Sequence, residues 1–132
     1  MKKVAFIFPG QGSQTIGMGK DFFENSDIAK EMISKASERL DIDFEKLLFE
    51  ENENLGKTEF TQPAILLVSS IANAIFKEKC NIVPEFVLGH SLGEFSALVA
   101  SGAIDYLDAI ELVHRRGLFM TEACSGGGAG MM

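Results

Sequence analysis

Residues Phe86 to Phe95 place a serine inside a glycine-flanked turn, between an apolar run and a helix-like stretch. They read FVLGHSLGEF, with Gly89 and Gly93 two positions before and after Ser91. A nucleophile elbow holds its serine on a sharp strand-to-helix turn and needs residues without bulk at those two positions. The following helix would direct N–H groups and its positive dipole end at a developing oxyanion. The pattern also arises by chance, but its place between a predicted strand and a predicted helix favours acyl transfer.

Composition restricts the class of protein. The chain has 132 residues, 46% of them hydrophobic and 23% charged, which predicts one globular core. A net charge of −7 argues against nucleic acid or an anionic membrane as partner, since both favour clustered Lys and Arg. The first apolar run stops at Pro9, too early for a signal peptide, so we expect a cytoplasmic protein. Cys80 and Cys124 lack metal-ligand spacing and are predicted to be reduced structural thiols, with no metal site.

The short apolar run Lys3 to Phe8 predicts a buried parallel strand, and Pro84 to Leu88 predicts the second strand. After a proline-containing helix start at Thr61, the run AILLVSSIANAIF predicts a central buried helix. Its length and polar interruptions argue against a membrane span. Apolar spacing predicts further helices over residues 28–40, 44–49, 91–101 and 106–123.

With two predicted strands, the predicted fold is α/β with an incomplete parallel sheet and flanking helices. The chain ends in SGGGAGMM, where Gly126 to Gly128 predict a hinge leading to a further segment. A frayed C-terminal tail is the alternative.

The glycine-rich loop after the first predicted strand does not match a phosphate-binding motif. A dinucleotide fingerprint would need glycine at Thr15, and a Walker A loop would need Ser or Thr at Asp21. Gln11 stands between two glycines at the sheet edge on which the elbow opens. Its amide, or nearby backbone N–H groups, could therefore complete an oxyanion hole with the N–H of Leu92. A purely turn-forming role for this loop stays equally open.

Two adjacent arginines fall on different faces of the predicted helix over residues 106–123. Arg115 lies on a polar stripe, spaced for an i,i+4 pair with Glu111, and is interpreted as a surface charge. Arg116 lies in the apolar arc, where a guanidinium needs an anion. That anion is either a carboxylate elsewhere in the fold or a substrate carboxylate held in bidentate fashion.

Neither histidine is a convincing general base for Ser91. His90 is its immediate neighbour, and consecutive side chains on a tight turn point apart. His114 lies within a predicted helix and is interpreted as a residue flanking the core. A serine needs an adjacent base to become a good nucleophile, so the predicted machinery is incomplete.

Four motifs in order, FPGQGSQ, TQPA, GHSLGE and HRRGLFM, resemble those of the malonyl-CoA:acyl carrier protein transacylase family of bacterial fatty acid synthesis. The resemblance implies that Ser91 takes malonyl from coenzyme A as an ester and passes it to the phosphopantetheine thiol of acyl carrier protein. It also implies oxyanion donors at Gln11 and the Leu92 N–H, and an arginine for the malonyl carboxylate at Arg116. His90 and Gln62 match motif positions that line the pocket. No cofactor is implied.

Family members continue with a ferredoxin-like subdomain and further α/β elements that carry the catalytic histidine. The resemblance therefore implies that residues 1–124 are the N-terminal part of a large hydrolase-like α/β acyltransferase domain. Residues 125–132 would then be a glycine-rich hinge toward a small subdomain that this chain lacks, and the chain alone is expected to be inactive.

Two other classes of protein remain open. A serine hydrolase shares the elbow, although the sequence has no HGGG-type segment before Ser91 and no Asp-Gly dipeptide. The non-enzymatic alternative is a fragment that binds acyl carrier protein or merely exposes a sheet edge.

Overall fold

Residues 2–125, which the computed structural model describes, form two strands and six helices. In chain order these are β1 (Ala5–Phe8), α1 (Lys20–Asn25), α2 (Asp27–Leu40), α3 (Phe44–Phe49), α4 (Thr58–Lys79), β2 (Phe86–Gly89), α5 (Leu92–Ala100) and α6 (Tyr106–Ala123). The predicted hinge at Gly126 to Gly128 lies outside the described residues, as does nearly all of the predicted 125–132 segment.

The two strands pair in parallel, as predicted, but the expected burial of the first strand is wrong, because Ile7 is 73% exposed. Ala5 lies opposite Phe86 and Phe8 lies opposite Gly89, so both strands end at the same edge of the sheet. Within residues 2–125 the sheet contains these two strands, with helices packed beside it. The expected α/β fold with a short parallel sheet and flanking helices is confirmed. The common edge brings together the loop after β1 and the turn after β2.

Only one face of the sheet is covered by described residues. Phe6 packs edge-to-face on Phe76 of α4, with ring centroids 5.2 Å apart. The alternate positions point the other way, and Ile7, Phe86 and Leu88 are 73%, 67% and 48% exposed. Side chains alternate between faces along a strand, so one apolar face meets the helices while the other is open.

Helix α4 forms the centre of the core, and its residues Thr61 to Leu67 are all buried. It begins three residues before the predicted start, and its 22 residues and apolar composition meet the requirements of a membrane span. The length argument made from sequence was therefore wrong. The central buried helix is confirmed by packing instead, because α4 lies against α2, α5 and α6.

Pro63 lies inside α4 and removes one hydrogen bond from the helix. It has no N–H to donate to the carbonyl of Glu59, four residues earlier. His114 of α6 replaces that donor, with its Nδ1 2.8 Å from the Glu59 carbonyl oxygen. A carbonyl oxygen only accepts, so the hydrogen bond requires the proton on Nδ1. The interpretation of His114 as a core-flanking residue therefore has a specific physical basis.

Candidate active site

Ser91 lies on a sharp turn between β2 and α5, as the sequence predicts. Its φ of 54° and ψ of −109° are unusual for a residue with a side chain. A conformation of this kind costs about 1–3 kcal/mol and persists only where its surroundings impose it. The two glycines allow that packing: a Cβ at Gly93 would overlap the Phe8 carbonyl oxygen, and one at Gly89 would overlap the Gly93 backbone.

The glycine-rich loop after β1 packs directly against this turn. A Cβ at Gly10 would overlap the carbonyl oxygen of His90, so the two backbones are in close contact. The half-buried Gln11 side chain donates from Nε2 to Thr58 Oγ1 at 3.1 Å, at the start of α4. That bond uses one of the two N–H groups of the amide. The loop therefore packs on the elbow through Gly10, and α4 holds the Gln11 amide through Thr58.

Leu92 is the first residue of α5, and its side chain is buried. The next two N–H groups bond back within the turn, from Gly93 to the His90 carbonyl at 2.9 Å and from Glu94 to the Ser91 carbonyl at 3.0 Å. The Leu92 N–H precedes them at the helix N-terminus, where no intrahelical acceptor exists. It is the N–H directly after the serine, which is the backbone position used for oxyanion binding.

Arg116 joins the serine to the core. Its Nη2 donates to Ser91 Oγ at 3.3 Å and its Nη1 donates to Gln62 Oε1 at 2.6 Å. The guanidinium carbon lies 5.3 Å from the centre of the Phe95 ring. Among residues 2–125 no carboxylate lies within 4.0 Å of this guanidinium, so the alternative of a structural ion-pair partner is not observed there. The positive charge is therefore held beside the serine hydroxyl.

Arg115 points away from the site and is exposed, with its Nη2 3.5 Å from a Glu111 carboxylate oxygen. The predicted i,i+4 pair is thus observed. A second arginine, Arg39 of α2, also reaches Glu111 at 3.0 Å and Asp108 at 2.7 Å, tying α2 to α6. These exposed pairs contribute little to stability individually.

The two remaining candidate side chains differ sharply in exposure. Gln62 is fully buried, and its Nε2 donates to Met120 Sδ at 3.2 Å. His90 is exposed, and its side chain makes no hydrogen bond with any residue in the range 2–125. Gln62 is therefore fixed by the core, whereas His90 contributes to the site mainly through its backbone contacts with Phe8 and Gly10.

No histidine of the chain reaches Ser91 by a hydrogen bond in the described structure. His114 is bonded to Glu59, and the side-chain partner of Ser91 Oγ in residues 2–125 is Arg116. Both cysteines are free thiols. Cys80 is half-buried, whereas Cys124 is exposed and is not the structural thiol that the sequence predicts. Residues 2–125 thus supply the Ser91 hydroxyl, the Arg116 cation and the Leu92 N–H, but no general base within hydrogen-bond distance of Ser91.

Two side chains of this cluster, Phe95 beside Arg116 and Met120 beside Gln62, were not identified as site residues from the sequence. Phe95 follows Ser91 by four residues and lies on the same face of α5, a helical spacing that could have revealed it. Met120 follows Arg116 by four residues on α6 and was placed only in the apolar arc. The contact between Gln11 and Thr58 spans 47 residues and has no local signal.

Residues 5–132 match the family model described as the acyl transferase domain. The chain belongs to the acyl transferase domain family. It is 48% identical over 132 residues to malonyl CoA-acyl carrier protein transacylase of Bacillus subtilis, covering 99% of this chain and 41% of that protein. The chain thus spans about two fifths of the length of the curated relatives it matches.

Solved acyl transferases share its fold. The crystal structure of malonyl-CoA:acyl carrier protein transacylase from Helicobacter pylori matches with a TM-score of 0.91 and 52% identity, covering 94% of this chain and 41% of that one. A malonyl-transacylase in complex with its type II PKS acyl carrier protein matches with a TM-score of 0.88 and 41% identity, covering 92% of this chain and 40% of that one. The family resemblance inferred from the four motifs is confirmed.

Proposed function

We propose that this chain carries the nucleophile-bearing part of a malonyl-CoA:acyl carrier protein transacylase of fatty acid synthesis. The main supporting observation is the contact between Arg116 Nη2 and Ser91 Oγ at 3.3 Å. A cation in contact with an elbow serine is suited to an acyl group that carries its own negative charge close to its carbonyl.

The proposed reaction proceeds through a seryl ester. Ser91 Oγ attacks the thioester carbonyl of malonyl-CoA, the C–S bond breaks, and the coenzyme A thiol leaves with the proton taken from the serine. The phosphopantetheine thiol of acyl carrier protein then attacks the ester carbon, the C–O bond breaks, and Ser91 regains a proton. No redox step occurs, so the reaction needs no redox cofactor.

The backbone around the elbow would stabilise both tetrahedral intermediates. The Leu92 N–H lies at the N-terminus of α5, where the helix dipole also favours negative charge. Gln11 lies in the adjacent loop, and the N–H of its amide that is not bonded to Thr58 would be the second donor. Loss of one such donor in other enzymes reduces turnover by about 10²–10³-fold.

The reach of Arg116 also limits the size of the acyl group. Because the guanidinium contacts Ser91 Oγ, a carboxylate bound to it must lie only a few bonds from the ester carbonyl. In a malonyl group a single methylene separates the two carbonyl carbons. A bidentate ion pair would hold that carboxylate, while a neutral acetyl group would leave the cation unpaired.

The finer domain organisation belongs to the same proposal. Residues 1–124 would be the N-terminal part of a larger hydrolase-like domain, and residues 125–132 would lead toward a ferredoxin-like subdomain. The general base would come from a segment beyond this chain, so the chain alone should not turn over normally. His90 would line the pocket entrance. Coenzyme A and acyl carrier protein are soluble partners, consistent with a cytoplasmic enzyme.

The proposal is tested with the complete product of the open reading frame that carries this sequence. Incubation with radiolabelled malonyl-CoA should label Ser91, and added acyl carrier protein should remove the label as malonyl thioester. Ser91→Ala should abolish labelling, while Ser34→Ala, at an exposed position of α2, should not. Release of free malonate without transfer would instead indicate a hydrolase, and an unlabelled protein would refute the proposal.

A further inference from the structure

Gln62 is a neutral amide fully buried beneath the proposed site. Its exposure is 0%, and it lies on α4 between helical residues that are themselves buried. Burial of an amide is costly unless its polar atoms are hydrogen bonded. The structure gives it two partners, Arg116 Nη1 at 2.6 Å and Met120 Sδ at 3.2 Å, both on α6.

These partners determine which way the amide faces. A guanidinium has only donors, so the carbonyl oxygen of Gln62 must face Arg116. The amide nitrogen then faces the thioether of Met120, a weak acceptor four residues further along the same helix. The carbonyl oxygen of Gln62 is therefore bonded to Arg116. Because the side chain is buried, it does not reach the open side of the site.

A neutral anchor has a consequence that a carboxylate would not have. A charge-assisted hydrogen bond from the guanidinium to an amide fixes the arginine without cancelling its charge. A buried carboxylate at the same place would form an ion pair with Arg116 and compete with any anionic ligand. The Phe95 ring, 5.3 Å from the guanidinium carbon, adds a second neutral contact that preserves the charge.

We propose that Gln62 is a positioning residue that sets the preference for anionic acyl groups, by holding Arg116 beside Ser91 with its charge unpaired. Gln62 acts through Arg116 and does not contact the acyl group, unlike the pocket-lining role that the family resemblance implies. The inference rests on the proposed function, because the preference concerns malonyl transfer.

The decisive substitution is Gln62→Glu, which preserves size and an acceptor oxygen while adding a charge. In the complete gene product, the ratio of kcat/KM for malonyl-CoA to that for acetyl-CoA should fall by about tenfold or more, equivalent to about 1.4 kcal/mol. The loss should fall mainly on malonyl transfer, because the neutral acetyl group does not need the free cation. Gln62→Met removes the acceptor and should also lower the ratio.

Thr61→Val is the matched control. Thr61 is equally buried on α4, and its hydroxyl bonds to the Leu55 carbonyl, away from Arg116. This substitution should reduce stability but leave the malonyl-to-acetyl ratio unchanged. If Gln62 had only a structural role, its substitutions would likewise reduce stability and leave the malonyl-to-acetyl ratio unchanged.

The outcomes separate the two proposals. If the unsubstituted protein transfers no malonyl group, the proposed function fails and the positioning role fails with it. If it transfers malonyl, and folded Gln62→Glu protein retains the original ratio, only the positioning role is overturned. If the Gln62→Met protein does not fold, the result for Gln62→Glu decides alone. If the Gln62→Glu protein does not fold, Gln62 serves stability and the positioning role is overturned.

Discussion

Ser91 and Arg116 are each held in place by different neighbouring residues, and this brings the two side chains into contact. The backbone of Ser91 is held at a φ of 54° by the close packing of two glycines. The guanidinium of Arg116 is held by Gln62 and Phe95 from two other helices. Their contact at 3.3 Å therefore follows from the surrounding fold, and changes at either residue should affect chemistry more than stability.

Arg116→Ala tests the charge at the site. In the complete gene product, malonyl transfer should fall by about 10- to 200-fold, as expected for a lost charge-assisted contact of about 1.5–3 kcal/mol. Acetyl transfer should change far less. Steady-state kinetics with the two thioesters measures both, and Arg115→Ala is the control, since Arg115 is an exposed neighbour. Equal losses for the two acyl groups would contradict the assignment.

His114 and Pro63 should be energetically coupled. His114→Ala leaves the Glu59 carbonyl without a donor, and we expect a loss of about 1–3 kcal/mol in the free energy of unfolding. Pro63→Ala restores a backbone N–H for that carbonyl, so the double variant should recover part of the loss. Denaturant unfolding of the two single variants and the double variant gives the coupling. Strict additivity would show that the two groups do not share the carbonyl.

At the scale of elements, the crossing of α4 and α6 organises the site. Gly117 of α6 lies against Thr58 and Glu59 of α4, where a Cβ would come within 2.7 Å of Glu59 Cα and 2.9 Å of the Thr58 carbonyl oxygen. The close approach brings Arg116 and Met120 to Gln62, and His114 to Glu59. Only a residue without a side chain allows this separation of the helices.

Gly117→Ala should therefore destabilise the fold. Overpacking against backbone atoms costs about 1–3 kcal/mol or more, which outweighs the gain in helix propensity of about 1 kcal/mol. Gly56→Ala is the control, because nothing lies within 4 Å of its Cβ and its φ is not positive. The urea midpoints of the two variants should differ clearly. A midpoint for Gly117→Ala at or above that of the parent chain would contradict the packing.

Tyr106 begins α6 and offers a spectroscopic test of its docking onto α2. Burial, aided by the charges of Asp105 and Glu31, raises the pKa of Tyr106 to about 12. A raised pKa means that the folded state keeps the proton longer, so the associated stability is present below pH ~10 and is lost as the pH rises toward ~12. Tyr106 is the only tyrosine and there is no tryptophan, so tyrosinate absorbance reports it alone. The same titration midpoint in buffer and in denaturant would contradict the burial.

Sequence patterns predicted the elements whose ends have local chemical signals. The bounds of α3 and α6 are those expected, because Asp43 and Asp105 cap their first turns. The start of α4 was misplaced because Pro63 normally marks a first turn, whereas here His114 compensates for a proline further inside. Ser91 and Arg116 were identified separately, but their contact depends on how α5 and α6 pack. Local patterns do not encode such packing.

At the scale of the whole molecule, the face of the sheet that the described residues leave uncovered is expected to govern self-association. Ile7, Phe86 and Leu88 form an exposed apolar strip, and within residues 2–125 each strand pairs on one side only. Exposed apolar strands with free edges favour pairing with other chains. The 132-residue chain on its own should therefore self-associate as its concentration rises.

Phe86→Glu should weaken that association. Phe119→Glu is a closely matched control, since Phe119 on α6 is 68% exposed and Phe86 is 67% exposed. Sedimentation velocity across a concentration series measures both. A monomeric parent chain, or equal effects of the two substitutions, would show that the sheet face does not drive association.

The pairing of β1 with β2 also has a consequence for assembly. Ala5 lies opposite Phe86, so the sheet joins positions 86 − 5 = 81 residues apart. Non-local pairings of this kind slow folding, since loop-closure entropy opposes them, whereas helices form early from nearby residues. During synthesis on the ribosome, β1 cannot pair until β2 has emerged from the ribosome. The turn that carries Ser91 should therefore reach its final packing only after this late strand pairing.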